Sequence, residues 1–356
     1  MIGIIMFQNM RYAPFLKLYE NILQEAGLEY EVLYYNRDKA LNETNDQKYI
    51  PIPWFGKGTV AAPKYEKLLN FVCYRSYLLK LLRSKKYDRL IILTTFPAVL
   101  ISGYLKRVYK NRYIVDIRDY TQESFRPYFE MEAVALKNSA LNVISSSGFV
   151  KFLPKASFVR CHNMTPNVTG EDCKPLAKAK DRPIVISYIG SIMYEKQCKQ
   201  LMDLVYGDER FEFHFYGNEA NGNGVSEYAK QLNSQRIVMH GPFLPHQKEE
   251  IYGASDLVFN CYGNDSTLVK YAISNKFYDA PLYGKPVLVS PDTAMAEESE
   301  NYACALDLDR LTDLNDLFQW YQDLDENAYN AFAKTVIQKS AEENIQMRDA
   351  VLRSLM

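Results

Sequence analysis

Residues 274–290 read SNKFYDAPLYGKPVLVS, and the fold turns on how this stretch divides. The spacing predicts a short helix over 275–283, stopped at Gly284, where a left-handed cap costs little. Pro286 then leads into Val287-Leu288-Val289, an apolar β-branched run expected of a strand buried on both faces. In an open α/β sheet, ligands sit beyond the carboxyl ends of the strands, at helix N-termini. A helix there that opens with Asn275-Lys276 and carries Asp279 one turn later suits a nucleotide. Lys276 and free helix amides can take a diphosphate, and Asp279 can accept from ribose hydroxyls. An ordinary surface helix with a salt bridge has the same spacing.

Outward from this stretch, the second half of the chain repeats a strand–turn–helix rhythm. Apolar runs at 184–189, 211–216, 237–240 and 256–260 predict strands, with Gly190-Ser191, Gly217-Asn218 and Gly241 as the turns after the first three. Helices are expected from about Glu195, with Lys196 near its start, and over 225–232. Helical segments at 314–321 and 328–355 close the fold. That rhythm argues for a parallel sheet. Residues 166–183 are polar and without periodicity, as a linker would be.

The first half opens on a second α/β unit. Strands are expected at 2–7 and 30–35 with a helix through Phe15, Leu18, Tyr19, Ile22 and Leu23 between them. The loop after the first strand, Gln8-Asn9-Met10-Arg11, lacks the GxGxxG fingerprint of a dinucleotide site. Residues 36–63, with Pro51, Pro53, Trp54, Gly56 and Gly58, read as one long irregular loop. Residues 64–86 predict a helix rich in Lys/Arg and aromatics, which suits either a solvated basic face or an anionic membrane surface. Further strands are expected at 89–93 and 113–116, with a helix over 97–109 between them. The second ends in DIRDYTQES, where Asp116, Arg118, Asp119 and Glu123 crowd a strand end. Such carboxylates are placed for chemistry, although a helix cap or a structural Arg–Asp pair fits equally.

At 356 residues the chain suits two domains of roughly 150–200 residues each. Its apolar content of 47% and charged content of 24% are those of a soluble globular protein. No stretch approaches the about 20 apolar residues of a transmembrane helix, and MIGIIMF reads as a first strand, not a signal peptide. Six cysteines without a CxxC favour reduced thiols and a cytoplasmic setting over a disulfide framework or a zinc site. Charge is divided unevenly. Residues 1–170 hold 24 Lys+Arg against 14 Asp+Glu, and residues 57–112 hold 13 against 2. A basic face meeting an anionic partner follows.

Residues 274–290 also resemble the donor-site motif of GT-B glycosyltransferases of family 4, with a lysine start and then Gly284-Lys285-Pro286-Val287. Asp279 stands five residues before Gly284, the position of the acid that holds the ribose of a nucleotide sugar in that family. Gly190 and Lys196 keep the family's Gly-x5-Lys spacing, whose lysine neutralises the donor diphosphate. His240-Gly241-Pro242-Phe243-Leu244 looks like the loop that contacts the base. Asp116-Ile117-Arg118-Asp119 is similar to a segment of the acceptor domain, and residues 141–149 resemble that domain's last strand. Two positions depart: Ser191 stands where the family often has Arg, and Tyr271 stands where it has a first acid.

The resemblance implies an α/β chain of the GT-B type, two Rossmann-like doubly wound parallel-sheet domains with an interdomain cleft. The acceptor domain would span 1–165, the linker 166–183 and the donor domain 184–325, with a last helix over 326–356 crossing back. Donor contacts are expected from Gly190, Ser191, Lys196, Gly217, Phe243, Leu244, Asn275, Lys276 and Asp279, and acceptor contacts from Arg11, Asp116, Arg118 and Glu123. Lys196 would carry the diphosphate charge and Asp119 would orient or deprotonate the acceptor. No cofactor and no metal are expected, since lysines and helix amides compensate the leaving group in such enzymes. Asp307-Leu308-Asp309 is read as a helix cap and not a metal grip. The four histidines lie at or beyond the linker, so the first domain offers no imidazole base.

The expected partners are a nucleotide-sugar, UDP-linked before GDP-linked, and a glycan or polyprenyl-diphosphate acceptor of bacterial surface-polysaccharide assembly. The basic domain would touch the anionic inner face of the plasma membrane, and no nucleic-acid motif is present. A nucleotide-sugar 2-epimerase and a non-catalytic subunit of the same shape are the alternatives.

Overall fold

The computed structural model describes residues 1–37, 44, 46–55, 63–220, 222, 224–299 and 302–356. Gly56 and Gly58 of the predicted loop lie outside them. The chain forms two units: Met1–Cys161 with Asn344–Met356, and His162–Glu343.

Among the described residues, unit 1 is built on seven parallel strands: β1 (Ile2–Met6), β2 (Tyr30–Asn36), β3 (Tyr49–Pro53), β4 (Arg89–Leu93), β5 (Tyr113–Ile117), β6 (Leu141–Ile144) and β7 (Val159–Arg160). Their order is β3-β2-β1-β4-β5-β6-β7. Ile4 of β1 lies beside Val32 and Ile91, and its side chain is fully buried, which is why these central strands read as continuous apolar runs. The helices are α1 (Leu16–Glu25), α2 (Lys64–Lys85), α3 (Thr95–Leu100), α4 (Ser102–Val108) and α5 (Arg126–Lys137).

Three expectations are corrected here. Residues 36–63 are not one irregular loop, because β3 lies inside them. Pro51 and Pro53 hid it, and they are tolerated because β3 is the edge strand, where a missing N–H breaks no ladder. The helix expected over 97–109 is two helices, divided at Ile101, whose φ of −116 breaks the helical path. The strand at 141–144 is followed by a further one, β7, too short to show a pattern.

Among the described residues, unit 2 has six parallel strands: β8 (Ile184–Ile189), β9 (Phe211–Tyr216), β10 (Ile237–Gly241), β11 (Leu257–Asn260), β12 (Val287–Val289) and β13 (Cys304–Ala305), in the order β10-β9-β8-β11-β12-β13. Its helices are α6 (Glu195–Tyr206), α7 (Val225–Leu232), α8 (Lys248–Gly253), α9 (Thr267–Tyr271), α10 (Asn275–Leu282), α11 (Ala294–Ser299), α12 (Asn315–Asp323) and α13 (Glu326–Leu355). Residues 162–183, including the segment read as a linker, belong to this unit. In α13, Ile337 is buried in unit 2, whereas Met347, Val351 and Leu355 sit in the core of unit 1. Strand order reverses between β8 and β11, and such a switch point leaves a crevice beyond the carboxyl ends of the strands.

Candidate functional site

The crevice of unit 2 is floored by backbone. Gly190, Gly217 and Gly241 follow or end β8, β9 and β10, and all three have positive φ. A Cβ at Gly217 would lie 1.8 Å from the Gly190 carbonyl oxygen, so only glycine lets these two turns meet. Ser191 is exposed beside them.

Lys276 enters from the first turn of α10. Its ammonium would be 3.7 Å from a Cβ on Gly190, and it lies 5.2 and 5.3 Å from the ring centroids of Tyr188 and Tyr262. Burial between these rings lowers its pKa to about 8, with Asp279 pulling the other way and Lys248 adding repulsion. A compact cation over aromatic faces beside a side-chain-free floor is an anion site of favourable chemistry.

Asp279, one turn further along α10, is buried. Its Oδ2 accepts from Lys248 at 2.7 Å and its Oδ1 from Thr165 Oγ1 at 3.3 Å. Neighbouring Tyr278 bonds His162 Nδ1 at 2.7 Å through its hydroxyl, and His162 Nε2 meets Glu343 at 2.9 Å, which ties α10 to both ends of the unit. Gly284, at φ +67, ends the turn after α10, and its Cα faces the Lys174 and Pro175 carbonyls so closely that any Cβ would clash. At the end of β11, Asn260 Oδ1 accepts from Tyr262 and Ser274, while its buried Nδ2 has no partner.

The structure thus groups Gly190, Gly217, Lys276 and Asp279. Lys196 is elsewhere engaged: it is exposed on α6 and pairs with Asp309 at 2.7 Å. That pair also corrects the reading of Asp307-Leu308-Asp309 as a helix cap. Asp309 binds Lys196 and Gln200, Asp307 pairs with Arg310, and the next helix begins only at Asn315. Asn275 is exposed at the start of α10. Phe243 packs partly on the core and Leu244 is exposed, in the turn that leads to Lys248. Sequence reasoning missed Lys248, Asn260, Tyr188 and Tyr262. Nothing in the spacing of α8 singles out Lys248, Tyr188 and Asn260 look like ordinary strand residues, and Tyr262 follows β11 without a pattern of its own.

In unit 1 the four residues at and beyond the end of β5 separate. Asp116 is fully buried and accepts from Arg118 Nη2 at 2.7 Å, while Arg118 Nη1 donates to the Cys161 carbonyl and Nη2 also reaches the Cys161 thiol. Such a pair, with the guanidinium over Phe15, ties the end of β5 to Cys161 beyond β7 and to the start of α1. Asp119 is exposed, and desolvation raises its carboxyl above the ordinary value against the opposing pull of Arg118. Glu123 is buried, accepts from Thr121 N at 2.6 Å, and faces Glu132, whose two oxygens have no partner. Burial, and then the nearby Glu123, pushes Glu132 up to about 8. Arg11 lies on the turn after β1 with its guanidinium over Tyr12. Among the described residues no group of three or more His, Cys, Asp or Glu is placed to hold a metal ion, and no helix is long and apolar enough to cross a membrane.

Two parallel-sheet Rossmann-like units define this chain's fold as that of the GT-B glycosyltransferases. Among solved structures it is similar to sucrose-phosphate synthase (tll1590) of Thermosynechococcus elongatus, at 12% identity and TM-score 0.64, covering 99% of this chain and 96% of that one. It is similar to HepE (Alr3699) of Anabaena in complex with UDP and glucose, at 13% identity and TM-score 0.65, covering 98% and 99%. The α,α-trehalose-phosphate synthase (UDP-forming) of Burkholderia xenovorans, in complex with glucose-6-phosphate, matches at 10% identity and TM-score 0.65 over 99% of each chain. The sequence matches no protein-family model and no curated protein.

Proposed function

We propose that the protein is a glycosyltransferase that takes a sugar from a nucleotide donor, UDP-linked before GDP-linked, bound by unit 2. The observation that carries this is the grouping of a glycine floor, the Lys276 ammonium and the buried Asp279 carboxylate at the switch point of a parallel sheet. The diphosphate lies against Gly190 and Gly217, where no side chain obstructs it, and Lys276 carries its charge. Lys196 joins it only on leaving Asp309. Asp279 accepts from the ribose hydroxyls once Lys248 yields. Ser191, Asn275 and the turn bearing Phe243 and Leu244 complete the contacts to the nucleotide.

The acceptor is a glycan or a polyprenyl-diphosphate-linked glycan of bacterial polysaccharide assembly, met by unit 1. Its hydroxyl is oriented or deprotonated by Asp119, whose exposure leaves it open to a substrate, and Arg11, in the loop after β1, adds an acceptor contact. Asp116, Arg118 and Glu123 act behind that surface, because burial removes them from direct contact. The donor reaction runs without a metal, as lysine and backbone amides take the leaving charge, and the protein works at the cytoplasmic face of the membrane. The structures bound to UDP support the donor class by likeness of fold. Titration with UDP, GDP and CMP on wild type and Asp279 variants tests the proposal.

A further inference from the structure

Four large apolar side chains stand out of α2 on one face. Tyr65, Leu68, Leu69 and Val72 are 69%, 63%, 61% and 55% exposed. Their spacing of i, i+3, i+4 and i+7 places them side by side over two turns. The other face of the same helix, through Tyr74, Leu78 and Leu82, is fully buried, so the exposed stripe is not the core side turned outward. Phe55, just ahead of the helix, is also exposed. Single exposed hydrophobes are ordinary, but a contiguous group rimmed by charge marks an interaction surface.

The rim is cationic. Arg75, Lys80 and Arg83 are exposed further along α2, and Lys106 and Arg107 are exposed on α4. The two helices adjoin: Arg75 Nε donates to the Leu100 carbonyl at 2.8 Å just before α4, and the Arg83 guanidinium lies over the Tyr104 ring. Among the described residues none of these five cations is paired with a carboxylate. Lys85 is excluded, since it pairs with Glu31.

We propose that unit 1 docks on an anionic lipid bilayer through this surface, with Tyr65, Leu68, Leu69 and Val72 entering the headgroup layer and the cations of α2 and α4 lying over it. The proposal builds on the lipid-linked acceptor given above and adds the residues and the two-part mode of binding. Apolar insertion and charge attraction act together on such a helix, which neither a nucleic acid nor a charged glycan would require. A second copy of this chain is disfavoured, because an isologous contact would gather two sets of the same cations, Arg75, Lys80 and Arg83, around one interface, none of them paired with a carboxylate among the described residues.

Vesicle co-sedimentation of the full chain tests this, comparing phosphatidylglycerol-containing with pure phosphatidylcholine vesicles. Binding to the anionic vesicles alone is expected. Loss of each cation should weaken it about fivefold at low salt. The pair Lys80→Glu/Arg83→Glu should abolish its salt dependence, and Leu68→Glu/Leu69→Glu should weaken it at least tenfold at every salt concentration. Equal binding to both vesicle types, no binding to either, or full binding by Leu68→Glu/Leu69→Glu would overturn the proposal. So would a change of oligomeric size in that variant, which would assign the face to a second copy. Thermal melting and UDP titration of the same variants should match wild type, which keeps a failed membrane surface distinct from a failed donor site.

Discussion

Lys248 Nζ lies 2.7 Å from Asp279 Oδ2, so the carboxylate offered to a ribose is already holding a cation. The pair is half inside the protein, with Asp279 buried and Lys248 reaching solvent. Lys248→Met should lower stability by about 2 kcal/mol, less than the ~3–5 kcal/mol of breaking a fully buried pair. Ribose hydroxyls can then donate to the freed oxygen without displacing anything. UDP should therefore raise the melting temperature of the variant more than that of wild type. An equal or smaller shift in the variant would show that Lys248 helps to hold the nucleotide.

Lys276 must carry its proton to meet a diphosphate, and burial against Tyr188 and Tyr262 lowers its pKa to about 8. Below pH 8 the free protein holds the charged form, and above it the neutral form dominates. UDP affinity should be level from pH 6.5 to 7.5 and then fall, by up to about tenfold per pH unit. Lys276→Met should bind at least tenfold more weakly at pH 7 and show no fall between pH 7 and 9. Calorimetry across that range checks both, and a wild-type affinity that is flat to pH 9 would remove Lys276 from the site.

Glu132 gives unit 1 a pH dependence of its own. Its folded pKa of about 8 stands above the ordinary glutamate value of 4.5, so between these pH values the folded state holds a proton that the unfolded state has released. Stability then falls as pH rises through this window, by up to about 1.4 kcal/mol per pH unit, and levels off above pH 8. Glu132→Gln cannot ionise. It should match wild type near pH 4 and melt at a higher temperature near pH 8. Parallel pH profiles for the two proteins would contradict the buried proton.

Asp116 and Asp119 are three residues apart and should answer mutation differently. Asp116→Ala leaves the Arg118 guanidinium buried without its partner and should cost about 3–5 kcal/mol. Asp119→Asn touches no buried contact and should keep stability within about 0.5 kcal/mol of wild type. If Asp119 serves as the base, its loss should slow transfer at least about a hundredfold. Denaturant melts with UDP release from a UDP-sugar in the presence of acceptor separate these outcomes, and an Asp119→Asn variant of full activity would contradict the role.

Much of this architecture could be read before any coordinates, because parallel strands buried on both faces write themselves as runs such as Ile184–Ile189. The turn at Gly284 was equally plain, since a left-handed cap has few alternatives. What escaped were features set by tertiary placement. The edge strand β3 carries two prolines and no alternation. DIRD reads alike whether its acids face solvent or core, and only the sheet decides that Asp116 is inside and Asp119 outside. Lys196 and Lys276 are both plausible cations by spacing, yet Asp309, more than a hundred residues away, draws the first of them aside. The Lys248–Asp279 pair joins two elements 31 residues apart and leaves no local mark.

The donor site itself is tested most directly by calorimetric titration of UDP into wild type, Asp279→Ala and Asp279→Asn, with melting curves confirming that each variant is folded. Wild type should bind UDP more tightly than GDP or CMP. Both variants should lose at least about tenfold in affinity, the scale of one hydrogen bond to a charged acceptor. Undiminished binding in the folded variants would contradict the ribose role of Asp279, and a wild type that binds none of the three nucleotides would contradict the transferase itself.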